Sequence, residues 1–505
     1  MAVLSNIEPK KVFYYFEELT KIPHGSYNVD AISDFLADFG KNRGLETYQD
    51  DLKNVIMIKE ATPGYENEPA LILQGHMDMV AVHKPELDID MKTEPLKVAV
   101  NEKEDYIYAE GTSLGGDDGI AVACGLALLD DDTLKHPRLE VVFTTNEETG
   151  MEGAAGIDLS MLKGNRLLNL DSEDEGIFLT SCAGGLRLNI HFPAKEISYK
   201  DAADFTLYDV EIGGLLGGHS GEEIIKGRAN SNKLAGRLLY SYMKDHKIYI
   251  SDINGGLADN AIPRVTNLTV AVSDGPAFEA LVKSFENNVK KEFASKDPGL
   301  YVKACKKNNS VSGGNPTDVA NNGSKESNES LKLYDAEGAI KFIFTCPNGV
   351  QAMSGDIEGL VETSLNLGIV KLELGENAPN IHATFSVRSS VGSSKEELTE
   401  KTVLLAKTYG GICVLSGNYP GWAFRSDSPL RDKMCALYEK MYGKKPVLKA
   451  IHAGLECGLL GNKIKDLDCV SIGPDMKDIH TTEEKLYISS SRRVYEFVRA
   501  LIESK

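Results

Sequence analysis

Histidine and acidic residues follow three short apolar runs of this sequence, a pattern that suggests a metal centre. His76 and Asp78 come directly after one run and are two residues apart, so in extended backbone both point to one face. A carboxylate there can accept the second N–H of a metal-bound imidazole. By itself the motif is weak, because a His beside an Asp at a strand end is more often a hydrogen-bonded structural pair.

Two pairs of adjacent carboxylates extend this pattern. Asp117 and Asp118 lie in a glycine-flanked loop ahead of an apolar helix, where the simpler interpretation is an N-cap that favours the helix dipole. Glu147 and Glu148 follow another apolar run and could equally be a solvated strand end. Beside a metal, however, one carboxylate of such a pair can act as general base while its neighbour binds the ion.

The number of candidate ligands favours a centre with two ions. Two divalent ions that share a bridging carboxylate and a water need about two further protein ligands each. Five residues supply that number, namely His76, Asp117, Glu148, Asp171 and His480. Asp78 and Glu147 then remain for orienting and base roles. Zn²⁺ accepts such nitrogen and oxygen donors and is the expected ion, with Mn²⁺ or Co²⁺ as alternatives.

The elements that must position these residues alternate between strand and helix. Two helices are predicted within residues 9–42, strands at 54–58, 70–74, 139–144 and 166–170, and a loop entering a buried helix at 117–129. This order predicts an α/β fold with a helix-covered, mostly parallel sheet. Such sheets bind ligands at the carboxyl ends of their strands, where the acidic residues lie.

The middle of the chain has a different pattern of apolar and polar residues, which predicts an inserted α+β domain. From about residue 187 to 420 short alternating stretches are separated by polar loops, and 308–329 is polar enough to predict a mobile loop. A helix at 430–442 and a strand at 468–473 then resume the first pattern. We therefore predict one domain from residues 1–186 and 421–505 and a second from 187–420.

Composition excludes several classes of function. The 505 residues include 55 Lys and Arg against 75 Asp and Glu, a formal net charge of −20, which argues against nucleic acid as a partner. We find neither an apolar run of membrane-spanning length nor a secretory signal pattern at this start. The eight cysteines are spread singly, as is typical of reduced thiols. A cytoplasmic protein without a membrane partner is expected.

The chain resembles the M20 metallopeptidases, and within them the aminoacyl-histidine dipeptidase, or cytosolic non-specific dipeptidase, branch. Seven segments in family order carry the resemblance: QGHMDMV at 74–80, TSLGGDDGI at 112–120, TNEETG at 145–150, NLDSE at 169–173, GGHSG at 217–221, HAGLECG at 452–458, and the stretch from IGP at 472–474 to IH at 479–480. They span nearly the whole chain. Any one of them is unspecific, and their combination is specific.

The resemblance implies a role for each candidate. Asp117 would bridge two ions, with His76 and Asp171 completing one site and Glu148 and His480 the other. Glu147 would be the general base, and Asp78 would orient His76. In the family the bridging Asp is often followed by Asn through a cis peptide bond. Here Asp118 follows, which leaves the geometry of that bond open.

Three residues of the inserted domain gain roles from the same resemblance. His219 lies in a glycine-rich loop that could be only a tight turn, and Arg388 could be an exposed strand charge. In related dimeric enzymes such a His, with an Asn that corresponds to Asn260, reaches the partner's active site and polarises the scissile carbonyl. The family also has an Arg at the position of Arg388, and a guanidinium suits a substrate carboxylate. The inserted domain would then be a lid and dimerisation domain.

The expected activity is therefore metal-dependent hydrolysis of dipeptides, Xaa-His and broader substrates included. Glu147 would take a proton from a water shared by two Zn²⁺ ions and pass it to the leaving amine. Two alternatives stay open: another M20 activity, such as an N-acyl amino acid deacylase or a tripeptidase, and a catalytically silent metal-binding scaffold. Glu147 binds no ion in this scheme, so a catalytically silent protein would not need a glutamate at this position. Its presence argues against the silent scaffold.

Overall fold

The computed structural model describes residues 3–198, 202, 204–307, 332–375 and 378–505. The chain forms two compact units, residues Met1–Cys182 with Pro420–Lys505, and residues Ala183–Tyr419. These boundaries lie within four residues of the predicted ones. The loop predicted at 308–329 lies outside the described residues.

The described residues contain helices and strands throughout both units. The helices are α1 (Lys10–Leu19), α2 (Asp30–Asn42), α3 (Gly116–Leu129), α4 (Glu147–Gly150), α5 (Glu152–Gly156), α6 (Ser231–Met243), α7 (Gly275–Glu292), α8 (Glu337–Thr345), α9 (Gly392–Thr408), α10 (Pro429–Tyr442), α11 (Glu456–Lys463) and α12 (Ile488–Glu503). The strands are β1 (Glu46–Gln49), β2 (Val55–Lys59), β3 (Leu71–His76), β4 (Val98–Asn101), β5 (Tyr106–Ala109), β6 (Leu139–Thr144), β7 (Arg166–Asn169), β8 (Ile177–Cys182), β9 (Gly184–Pro193), β10 (Lys195–Glu196), β11 (Thr206–Gly213), β12 (Gly218–His219), β13 (Ile248–Gly255), β14 (Ala261–Ile262), β15 (Thr266–Val272), β16 (Tyr301–Lys306), β17 (Tyr334–Asp335), β18 (Gly349–Met353), β19 (Val361–Leu374), β20 (Pro379–Ser389), β21 (Ile412–Tyr419), β22 (Val447–Ile451), β23 (Asp468–Ser471), β24 (Met476–Lys477) and β25 (Lys485–Tyr487).

The first unit is built on an eight-stranded sheet in the order β1-β2-β6-β3-β7-β23-β8-β22. Its centre is parallel, because β6, β3, β7 and β23 pair in the same direction, whereas β1 and β2 add an antiparallel edge. The predicted α/β fold is confirmed, including the predicted strands at this centre. A separate four-stranded sheet, β24-β25-β5-β4, also belongs to this unit.

Helix α3 forms the centre of the core in the first unit. Every one of its residues is buried, as expected for a helix that is apolar on all sides, and it packs on α1 and β3. Gly75 permits the close approach to β3, since a Cβ there would lie 2.6 Å from the Cβ of Ala121 and 2.5 Å from Oδ2 of Asp118. Asp117, at the start of α3, is thereby placed next to the end of β3.

The second unit is inserted where β8 ends. Cys182 and Trp422 exchange backbone hydrogen bonds of 2.9 and 3.0 Å, so the chain leaves and re-enters the first unit at neighbouring positions. The inserted unit has an eleven-stranded sheet with the main order β16-β11-β15-β13-β19-β20-β9-β21, and its pairs are antiparallel. Helices α6 to α9 belong to the same unit, which confirms the α+β prediction.

Two further sequence predictions concern cysteines and membranes. All eight cysteines are free thiols, and five of them are buried. Among the described residues, we find no helix that combines the length and the apolar character needed to cross a membrane.

Candidate active site

The candidate ligands of the first unit gather at one edge of its sheet. Strands β6, β3 and β7 are parallel neighbours, so their carboxyl ends meet there. His76 is the last residue of β3, and Asp171 lies two residues beyond β7. Glu147 and Glu148 open the short helix α4 after β6, while His480 lies in the turn between β24 and β25.

His76, Asp117 and Asp171 form one group of donors. Nε2 of His76 lies 3.1 Å from Oδ1 of Asp117 and 3.7 Å from Oδ1 of Asp171. The His76 side chain is 1% exposed, and the two carboxylates are 10% exposed. One donor atom from each residue lies within 4.8 Å of the others, which is close enough to surround a metal ion.

Asp117, Glu148 and His480 form a second group. Nε2 of His480 lies 3.1 Å from Oδ2 of Asp117 and 3.0 Å from Oε2 of Glu148. The two groups share Asp117, whose Oδ1 faces His76 and whose Oδ2 faces His480. This is the arrangement that a carboxylate bridging two ions requires.

The backbone next to several of these side chains has unusual geometry. The peptide bond between Asp117 and Asp118 is cis, and Asp118 accepts the backbone N–H of His76 at 3.3 Å. His480 has φ 60° and Asn146, just before Glu147, has φ 52°. Left-handed conformations of this kind are uncommon for non-glycine residues and concentrate at functional sites.

Asp78 contacts both His76, a candidate ligand, and Glu147, the candidate base. The shorter contact from Nδ1 of His76 goes to the backbone carbonyl of Asp78 at 2.9 Å, and the carboxylate Oδ1 lies 3.6 Å away. The same Oδ1 accepts the backbone N–H of Glu147 at 3.1 Å, and Ser26 donates to Oδ2 at 2.8 Å. Backbone and side chain of Asp78 together leave Nε2 of His76 directed at the donor group.

Glu147 makes no ion pair with a lysine or arginine within the described part of the chain. Burial is the largest of the effects that raise the pKa of Glu147 to about 8; the nearby carboxylates of Glu456 and Glu148 add to it, and His76 opposes it. A carboxyl with a pKa near neutrality is suited to accept and return a proton. Glu147 therefore has the electrostatic environment of a general base.

The candidate ligands differ in how strongly they hold protons. Burial opposes ionisation of Asp117, but hydrogen bonds from His480 and His76 outweigh it and hold its pKa below the ordinary value. Contacts with Asp117 and Glu148 raise the pKa of His480 to about 10. Burial raises the pKa of Asp171 well above its usual range. In the absence of metal, these shifts in pKa favour protonation of His480 and Asp171 and ionisation of Asp117.

The donor set fits two divalent ions. Its three carboxylates have only histidines as ion-pair partners among the described residues, so no lysine or arginine neutralises this buried negative charge. Oε1 of Glu148 is buried without a hydrogen-bond partner. Histidine nitrogen and carboxylate oxygen are ligands that Zn²⁺ accepts, and Mn²⁺ and Co²⁺ use them too.

Two supporting carboxylates were not predicted from the sequence. Glu484 accepts backbone N–H groups where the chain enters α3, those of Leu114 at 2.7 Å, Gly116 at 2.8 Å and Asp117 at 3.3 Å among them. Glu456 is fully buried and accepts from Gln74 at 2.5 Å and Thr144 at 2.6 Å. Glu456 lies in the HAGLECG segment, and this membership was the only signal for it. Glu484 lies in a polar stretch at 481–484, and its residue type alone does not distinguish it there.

The three candidates of the second unit also lie near one another. His219 on β12 pairs with Ala261 on β14, and Ser220 donates its backbone N–H to the carbonyl of Asn260 at 2.8 Å. Burial lowers the pKa of His219, and the positive charge of Arg388 lowers it further. The imidazole of His219 is therefore neutral at pH 7.

Arg388 is a buried cation. It is 8% exposed, its Nη1 donates to the hydroxyl of Tyr419 at 3.3 Å, and its Nε has no hydrogen-bond partner. No carboxylate of the described residues forms an ion pair with it. A buried guanidinium without an anion is suited to bind a carboxylate from a ligand.

Comparison with known proteins places this chain in a family. The profile of Peptidase family M20/M25/M40 matches residues 72–504. The cytosol non-specific dipeptidase of Escherichia coli (strain K12) is 32% identical over 506 aligned residues, covering 99% of both chains. The crystal structure of the aminoacylhistidine dipeptidase of Vibrio alginolyticus is also 32% identical and superimposes with a TM-score of 0.86, covering 99% of this chain and 97% of that one.

A more distant structure shares the fold alone. The aminopeptidase PepT of Bacillus cereus is 17% identical, with a TM-score of 0.59 and 98% of each chain covered. The family match, the two relatives and the paired donor groups at the sheet edge agree with one another. This chain belongs to peptidase family M20/M25/M40 and is a peptide-bond hydrolase.

Proposed function

We propose that this chain is a dipeptidase that holds two Zn²⁺ ions and acts on Xaa-His and other dipeptides. The observation that carries the proposal is the pair of donor groups that share Asp117 beside a carboxylate, Glu147, which belongs to neither group. The names of the Escherichia coli and Vibrio alginolyticus relatives support the substrate class. The name of the Escherichia coli relative also supports a cytoplasmic location.

Each ligand has a part in this proposal. His76 and Asp171 would hold one ion, Glu148 and His480 the other, and Asp117 both. When bound, the ions would supply Lewis acidity and lower the pKa of a water at the site. Asp78 fixes the imidazole of His76 through its carbonyl, and Glu484 fixes the loop that carries Asp117.

Glu147 moves the proton in the proposed mechanism. Its carboxylate accepts a proton from the attacking water as the water adds to the peptide carbonyl. It then donates that proton to the amine as the carbon–nitrogen bond breaks. A pKa raised toward neutrality makes both transfers favourable, since the group must be a base in the first step and an acid in the second.

The residues of the second unit would bind the substrate. The neutral imidazole of His219, with the side chain of Asn260, would polarise the scissile carbonyl and stabilise its developing negative charge. The unpaired Nε of the buried Arg388 supports binding of the substrate's terminal carboxylate. We propose that His219 and Asn260 act on the active site of a partner subunit in a homodimer formed through this unit, which would serve as the lid.

A panel of substrates tests the proposed function. Zn²⁺-reconstituted protein would be assayed against Xaa-His dipeptides, other dipeptides, the same sequences extended to tripeptides, and N-acylated amino acids. We expect the dipeptides to have the highest kcat/KM. Faster cleavage of tripeptides or of N-acyl amino acids would assign another activity of the family, and no cleavage at full metal loading would indicate a silent scaffold.

A further inference from the structure

The second unit carries another cluster of metal-binding side chains, far in sequence from the candidate active-site ligands. It consists of His191 on β9, His382 on β20 and Glu373 on β19. The neighbours of these residues along each strand, such as Ile190 and Ile381, are buried in the core of the unit. Because side chains alternate along a strand, the cluster lies on the opposite face of the sheet.

The two histidines are directly opposed across the sheet. His382 pairs with His191 in the register of β20 and β9, and their rings stack with centroids 4.4 Å apart and planes 10° from parallel. Facing residues on neighbouring antiparallel strands have Cβ atoms about 4.5–5.5 Å apart, which allows two imidazoles to bind one ion. The strands hold this spacing without help from a flexible loop.

Glu373 places one oxygen toward each imidazole. Its Oε1 lies 3.0 Å from Nδ1 of His382, and its Oε2 lies 3.8 Å from Nδ1 of His191. One donor atom from each residue lies within 4.8 Å of the other two. Ligands of a tetrahedral Zn²⁺ ion lie about 3–4 Å apart, since each bond is about 2 Å long. Small side-chain rotations would therefore complete the coordination.

The second nitrogen of His382 already has the partners that a metal-bound imidazole needs. Nε2 lies 3.2 Å from Oδ1 of Asn189 and 3.2 Å from Oγ1 of Thr384. Nδ1 of His382 contacts Glu373 in the structure, and with an ion bound there in its place the proton would lie on Nε2 and be donated to Asn189.

We propose that His191, Glu373 and His382 form a third metal site, for a divalent transition metal such as Zn²⁺, with a water in the fourth position. Two imidazoles and one carboxylate form a donor set that Zn²⁺ uses in proteins with an open position. The ion would join β19, β20 and β9. Lys371, whose Nζ lies 2.9 Å from Oε1 of Glu373, competes with the ion for the carboxylate.

Metal stoichiometry tests this site independently of catalysis. Wild-type protein and the double variant His191→Ala/His382→Ala would be equilibrated with micromolar free Zn²⁺ and analysed for bound metal per chain. We expect the double variant to lose one ion relative to wild type. The matched control is His246→Ala, since His246 stacks on Tyr242 of the same unit outside the cluster and its replacement should leave the metal content unchanged.

The difference of one ion is diagnostic whether or not the active-site ligands bind two. Equal metal content in wild type and the double variant would overturn the proposal. Lys371→Met provides a second variant if the double variant folds poorly. Removal of the competing ammonium should lower the dissociation constant of the third ion several-fold, whereas an unchanged dissociation constant would contradict the site.

Discussion

Asp78 accepts the backbone N–H of Glu147 at 3.1 Å through the same carboxylate oxygen that lies 3.6 Å from the imidazole of His76. One side chain thus links the proposed base to a proposed ligand. Asp78 is 1% exposed, so this carboxylate depends on its protein partners for hydrogen bonds.

Replacing Asp78 should therefore impair metal binding and turnover together. We expect Asp78→Ala to reduce both metal affinity and kcat, each by about 10–100-fold, as is usual for residues that orient ligands. Ser26→Ala is the matched control, since it removes one hydrogen bond to the same carboxylate and should have a much smaller effect. Metal titration and initial rates would measure both, and wild-type values in Asp78→Ala would contradict the positioning role.

Glu484 offers a second test of the support around the metal ligands. Glu484→Ala leaves buried N–H groups of the loop from Leu114 to Asp117 without an acceptor, and we expect it to cost about 2–4 kcal/mol of unfolding free energy. The neighbouring Glu483, whose side chain is 61% exposed, is the control, and Glu483→Ala should change stability by less than about 0.5 kcal/mol. Urea unfolding would measure the stability of both variants. Equal unfolding free energies for Glu484→Ala and Glu483→Ala would contradict the role of Glu484 in holding this loop.

The stability of the metal-free protein should fall as pH rises, whereas the stabilisation gained from bound metal should grow. The pKa of His480 is raised to about 10 by Asp117 and Glu148, and burial raises that of Asp171 well above its usual range. Raised pKa values favour the folded, protonated state at low pH, and this stabilisation is lost as pH rises through those values. Metal ions must displace such protons, so metal affinity should increase with pH.

The measurement is the melting temperature of metal-free and Zn²⁺-loaded protein between about pH 6 and pH 9. We expect the gain in Tm on loading to grow with pH. Calorimetric titration in buffers of different ionisation enthalpy should also detect protons released on binding. A gain that is constant or shrinks toward high pH would contradict the assignment of His480 as a ligand.

The central sheet could be predicted from the sequence because its signals are local. Strands β3 and β6 are buried along their whole length and helix α3 is buried on all sides, and burial of this kind leaves runs of mainly hydrophobic residues, such as 71–73 and 141–143. The acidic residues at the strand ends could be predicted for the same reason. Parallel neighbours bring their ends to one edge, so the sequence positions already imply proximity.

The support of the site could not be predicted, because it depends on contacts distant in sequence. Glu484 reaches a loop 367 to 370 residues earlier in the chain, and Glu456 contacts Thr144 across 312 residues. No local pattern distinguishes such a glutamate from a solvated one. The carbonyl of Asp78 is the shorter acceptor for His76, and a backbone acceptor leaves no signal in the residue type.

Mixed dimers test whether His219 acts in its own chain or on its partner. Inactive Glu147→Ala and inactive His219→Ala subunits would be combined under conditions of proven subunit exchange. About half of the dimers would be mixed, each with one intact site of two, so about a quarter of wild-type activity should return. The absence of rescue would show that His219 acts within its own chain or only shapes a turn.

The adjacent pair Glu147 and Glu148 tests the central claim, that one carboxylate moves a proton while its neighbour holds an ion. Glu147→Gln and Glu148→Gln are the same substitution at consecutive positions of α4, so each is the other's control. Metal content by elemental analysis and kcat on a dipeptide would be measured for both after equilibration with Zn²⁺.

We predict that Glu147→Gln keeps the wild-type metal content and loses about 10²–10⁴-fold in kcat, because only the base is removed. Glu148→Gln should bind less metal as well as lose activity, because Glu148 is one of the three donors around His480. Near-normal turnover in Glu147→Gln, or full metal content in Glu148→Gln, would contradict this division between base and ligand.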